Sequence, residues 1–234
     1  MERRTFLRSC AFAGGAAGLT QLLAEASAAQ PFKAYSRALL VDEFGAAIKT
    51  RDLVVNRNYL FNYPYAGTPC FLLRLDQPTA RAELVAGDGQ RYEWDGGVGP
   101  RNTVVAYSAI CAHKLAYPAR EISFIRFQEQ PSPTSKGGVI HCCAEHSVYD
   151  PAAGARVVGG PAPQPLAAIV LDYNARNDEL SAIGTVGAEQ FDAFFAKYEF
   201  KLGMEHGAGR AQRLVGEATA CREMAQVCRQ TVQC

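Results

Sequence analysis

The stretch HCCAEHSVYD, residues 141–150, places two histidines, two cysteines and a glutamate within six positions. Thiolate and imidazole donors at that density are metal-site chemistry, and one short run cannot complete such a site by itself. Partners stand upstream in Cys111-Ala112-His113. Read with Cys143-Ala144-Glu145-His146, they give the pattern C-x-H followed by C-x-x-H, two cysteines and two histidines on two short loops.

Two chemistries accept that donor set. One is a structural Zn²⁺ on Cys₂His₂. The other is a pair of bridged irons, one on Cys111 and Cys143 and the other on His113 and His146. Neutral imidazoles in place of two thiolates make such a centre easier to reduce. The flanks separate the two. After His146 come Ser147-Val148-Tyr149-Asp150, then Gly154, then Gly159-Gly160-Pro161-Ala162-Pro163. This run resembles the second cluster loop and the proline loop of Rieske [2Fe–2S] proteins. The stretch GGVGPRNTVVAYSAICAHK (96–114) resembles their first loop and the strand entering it.

The resemblance implies one [2Fe–2S] cluster per chain. It also implies a mainly β fold, an antiparallel sandwich or barrel with a small cluster-binding subdomain at about 98–165. The Ser147 hydroxyl would donate to a bridging sulfide and the Tyr149 hydroxyl to a cysteine sulfur, with Gly160 and Pro161 in the third loop. Rieske second loops commonly carry a residue between the histidine and the serine, whereas Ser147 here follows His146 directly. A gapless alignment would put Cys142 and Glu145 at ligand positions. A carboxylate adds negative charge and is a harder ligand than imidazole. A one-residue deletion is therefore preferred, with Cys142 a bystander and His141 a solvent-facing strand end.

Respiratory members of the family often bridge the two loops by a disulfide, whose half-cystines would fall near Ala116 and Glu145. Neither is cysteine, so packing must hold the loops, with Pro118, Pro161 and Pro163 as candidates. The spacer from His113 to Cys143 is long, 29 residues (114–142). Within it, 119–138 reads as a strand followed by an exposed loop at PSPTSKGG (131–138).

Around this centre, NYLFNYPYAGTPCFLLRLD reads as two strands about a turn. LAAIVLDYNARNDELSAI (166–183) reads as a hairpin turning at Asn174 to Asp178 and closing the base barrel. The expected domain runs from 36 to 187. A helical extension over 188–234 follows. Phe191, Phe194, Phe195 and Tyr198 mark its first helix, and a 4-3-4-3-4 recurrence from Leu214 to Val232 marks a second. At the N-terminus, Arg3-Arg4-Thr5-Phe6-Leu7 resembles a twin-arginine export signal. A short apolar run and Ala26-Ser27-Ala28 follow, so 1–29 is read as a removable signal or an anchor. That route exports folded proteins and implies a periplasmic address. Cys70, Cys142, Cys221, Cys228 and Cys234 are left to pair in an oxidising compartment. Cys221 and Cys228 would lie about 10 Å apart on one helix, too far to bridge each other.

The net charge is +1, with no basic patch for nucleic acid. No CxxCH attaches a haem, and four histidines are too few for a cluster plus a mononuclear oxygenase iron. The expected function is periplasmic electron transfer to or from a protein redox partner. The iron–sulfur subunit of a quinol–cytochrome c oxidoreductase and the small subunit of an arsenite-oxidase-type molybdenum enzyme are both resembled. A cytochrome or a molybdopterin subunit would accordingly be the partner, and a quinol fits as donor. Membrane contact would come only through an uncleaved signal or a partner. A zinc-stabilised binding module is the alternative of another class.

Overall fold

The computed structural model describes residues 32–234; the twin-arginine segment lies outside them. In chain order the strands are β1 (Phe32–Val41), β2 (Tyr59–Asn62), β3 (Pro69–Arg74), β4 (Ala82–Val85), β5 (Arg91–Trp94), β6 (Val104–Ser108), β7 (Ile122–Ser123), β8 (Ile125–Gln128), β9 (Val139–Cys142), β10 (Ser147–Asp150), β11 (Arg156–Gly159), β12 (Ala168–Asn174), β13 (Glu179–Val186), β14 (Ala218–Ala220), β15 (Arg222–Glu223) and β16 (Gln230–Thr231). The α-helices are α1 (Phe191–His206) and the single turn α2 (Met224–Val227). The mainly β architecture expected from the sequence is the one observed.

An eight-stranded base sheet runs β14-β1-β13-β12-β6-β3-β2-β15. The strands read from NYLFNYPYAGTPCFLLRLD are β2 and β3, paired antiparallel from Tyr59↔Leu72 to Asn62↔Pro69. The hairpin at 166–183 is β12–β13, with its turn after Asn174. It sits in the middle of the sheet and does not close it.

Closure comes from the C-terminal segment, where the expected second helix is absent. β14 pairs with β1 at one edge and β15 with β2 at the other, and only Cys221 stands between them. The Cys221 N–H donates to Val41 O at 2.7 Å, and the Thr219 hydroxyl to Asn62 O at 2.8 Å. Two open sheet edges offer backbone partners that a helix would leave unpaired, and this outweighs the helical spacing of small residues. Cys221 and Cys228 are buried in different core clusters, both unpaired. Burial pushes their thiols up to about 12 and about 11.

The second sheet, β11-β10-β9-β8, is antiparallel and carries the 141–150 stretch. Within 119–138 the strand is split into β7 and β8. A mostly exposed loop with a tight Ser132/Ser135 turn follows, as expected for PSPTSKGG. The first helix is borne out as α1. Its Phe191, Phe194, Phe195 and Leu202 pack on Ile110, Tyr117 and Ala119, beside the first loop. Among the described residues no helix is long and apolar enough to cross a membrane.

Candidate metal centre

Strand alternation decides which cysteine of the 142/143 pair faces which way. Along β9, successive side chains point to opposite faces. Ile140 and Cys142 enter the core cluster that contains Cys111 and Tyr149. His141 and Cys143 therefore belong to the other face. Cys143 forms a disulfide there with Cys234, Cα–Cα 5.2 Å. A sulfur bonded to sulfur is not a thiolate ligand, so Cys143 gives way to Cys142 as the partner of Cys111.

Cys111 and Cys142 are both free and buried, side by side in one core cluster. The Cys142 thiol donates to Cys111 and holds its pKa well below the usual thiol range. That contact and burial push Cys142 up. The Tyr149 hydroxyl lies 3.3 Å from Cys111 Sγ and accepts from the Ala112 N–H at 3.0 Å, which leaves its own proton for the sulfur. Ser147 stands directly across the ladder from Cys142. Its hydroxyl is buried and has no protein partner.

The hairpin register explains why the deletion reading fails. Cys142 pairs with Ser147, and residues 143–146 form the four-residue turn between them. His146 closes that turn with φ +58°, in the left-handed region. Its exposed side chain is turned to the face of His141. His146 Nδ1 lies 3.4 Å from His141 Nε2, and the Thr134 hydroxyl lies 3.4 Å from each ring. The Cys234 sulfur, committed to its disulfide, lies within 4.8 Å of both rings. His141 is fully buried, not solvent-facing, and burial lowers its pKa.

His113 meets a different residue. Its Nδ1 is buried and without a hydrogen bond, and it lies 3.4 Å from Glu145 Oε2. The Lys114 ammonium is 4.0 Å from the other carboxylate oxygen. The structure thus brings together Cys111 with Cys142 and His113 with Glu145, and not His113 with His146.

Packing holds the first loop, as expected, though the agent is mostly α1. Tyr117 stacks edge-on against Phe194 at 5.0 Å, and Gln190 Nε2 donates to Ala112 O at 3.2 Å. Of the proposed prolines, Pro118 is buried while Pro161 and Pro163 are exposed. Gly160 is needed: at φ +76° a Cβ there would lie 2.1 Å from His146 O. The second loop is held by the disulfide to Cys234, and the tail carrying Cys234 is anchored by β16 pairing with β7. The sequence reading, which gives Cys143 to the metal, leaves this bridge unseen. The signal available was the alternation Ile140/Cys142 against His141/Cys143.

No family model matches the chain. A similar solved structure is the soluble domain of Rieske protein II (soxF) from Sulfolobus acidocaldarius. It shares 28% sequence identity, covers 66% of this chain and 82% of that one, and has a TM-score of 0.47.

Proposed function

We propose that this chain is a Rieske-type one-electron carrier that works as a subunit of a larger redox assembly. The observation that carries this reading is the buried Cys111/Cys142 pair, with the Tyr149 hydroxyl 3.3 Å from Cys111 and the unpartnered Ser147 hydroxyl across the ladder from Cys142. The residues fit an iron–sulfur group. A buried hydroxyl without an acceptor costs about 1–3 kcal/mol. Ser147 Oγ is such a group beside Cys142, and a bridging sulfide is the acceptor it lacks. When bound, a [2Fe–2S] cluster supplies a one-electron oxidation–reduction step.

In this reading Cys111, Cys142 and His113 would hold the cluster. Tyr149 and Ser147 would donate hydrogen bonds toward sulfur, which would favour the reduced, more negative state. His113, about one-fifth exposed, lies nearest the surface where a redox partner would dock. The twin-arginine motif and the Cys143–Cys234 disulfide both support export to an oxidising compartment. The partner class is a cytochrome or a molybdopterin subunit, as the resemblance implies.

Optical and EPR spectra of anaerobically purified full-length protein, with iron and acid-labile sulfide analysis, test the reading. It expects equal iron and sulfide and a spin-half EPR signal on reduction. Stoichiometric zinc without sulfide would overturn it in favour of a zinc-stabilised module.

A further inference from the structure

We propose that Glu145 supplies the fourth protein ligand, so that the outer iron is held by one imidazole and one carboxylate; this rests on the Rieske-type reading above. Across the two loops the donors pair at two depths. Cys111 and Cys142 share the core cluster, and His113 faces Glu145 toward the surface. Two ligand atoms each about 2.0–2.1 Å from a tetrahedral metal stand about 3.3–3.4 Å apart. His113 Nδ1 and Glu145 Oε2 are separated by 3.4 Å. His113 Nδ1 is buried and makes no hydrogen bond, as a nitrogen reserved for a metal should be.

The competing donor is turned away. The four-residue turn from Cys142 to Ser147 leaves His146 at its last position, with its ring against His141 and Thr134. Shifting the register by one residue to bring it round would also move Cys142 and Ser147 to the opposite face. A carboxylate in place of a neutral imidazole leaves the centre one charge more negative. Reduction is then harder than at a centre with two imidazoles. Lys114, at 4.0 Å, offsets little of this because it is exposed.

The test is pulsed EPR of the reduced, full-length holoprotein, which counts strongly coupled imidazole nitrogens, with three variants. The wild type should show one such nitrogen. His146→Gly, which suits the left-handed backbone, should retain both the cluster and that spectrum. Glu145→Gln should lose cluster or change its g values. Glu145→His should gain a second coupled nitrogen and a higher midpoint potential. Two coupled nitrogens in the wild type, one of which vanishes in His146→Gly, would overturn the assignment while leaving the Rieske-type reading intact. A wild type without iron–sulfur signal would defeat that reading itself.

Discussion

The two loops of the centre are held in opposite ways. The first, around Cys111 and His113, is buttressed by non-covalent packing: aromatic rings of α1 cover Tyr117 and Ala119, and Gln190 caps the Ala112 carbonyl. The second, around Cys142 and Glu145, is a hairpin tip riveted by Cys143 to the chain's last residue, Cys234. Both devices come from the C-terminal extension, which also closes the base sheet through residues 218–223. A single segment thus holds both loops. It can do so because adjacent cysteines face opposite sides, one toward the core around Cys111 and one toward the tether.

The sharpest way to break this comparison is to remove each cysteine of the 142/143 pair. Cys142→Ser should abolish iron incorporation, whereas Cys143→Ser should leave most of it, as iron content per chain would reveal. If Cys143→Ser alone emptied the protein of iron, the two faces would have been assigned the wrong way round.

The tethers themselves come next. Phe194→Ala removes a fully buried ring from the first loop's support and should cost about 3–5 kcal/mol of stability. Cys234→Ala opens a bridge spanning 91 residues and should cost roughly 2–5 kcal/mol. Denaturant titration measures both, and an unchanged midpoint in Cys234→Ala would mean that the tail contributes no constraint. Smallest are the tuning effects. Ser147→Ala and Tyr149→Phe should each lower the midpoint potential by roughly 65–130 mV, the one-electron equivalent of a hydrogen bond to a charged group, about 1.5–3 kcal/mol. Protein-film voltammetry would show it, and a rise in either variant would mean that the hydroxyl does not donate to the centre.

What the sequence made legible follows from the range of the forces involved. The β2–β3 pair, the β12–β13 hairpin and α1 are written in local periodicity and turn residues, and all three were found where expected. Cys111 comes from the C-x-H spacing, and Ser147 and Tyr149 from the family resemblance; the structure puts Tyr149 against Cys111 and Ser147 across the ladder from Cys142. The C-terminal segment was misread because its small-residue seam fits a helix locally. Its actual partners, Val41 and Asn62, are far away in sequence. Cys143 was misassigned for a related reason. A choice between neighbouring residues on a strand depends on which face meets the core, and the Cys234 that claims Cys143 lies 91 residues on. Ligand softness argues against Glu145, whereas the hairpin geometry places its carboxylate beside His113.

An anomalous difference map at the iron edge, from crystals of the holoprotein, tests the central claim most directly. The account predicts iron density bridging the sulfurs of Cys111 and Cys142, with continuous density for the Cys143–Cys234 bond on the far side of the strand. Iron seated on the Cys143 sulfur, with Cys234 free, would contradict it.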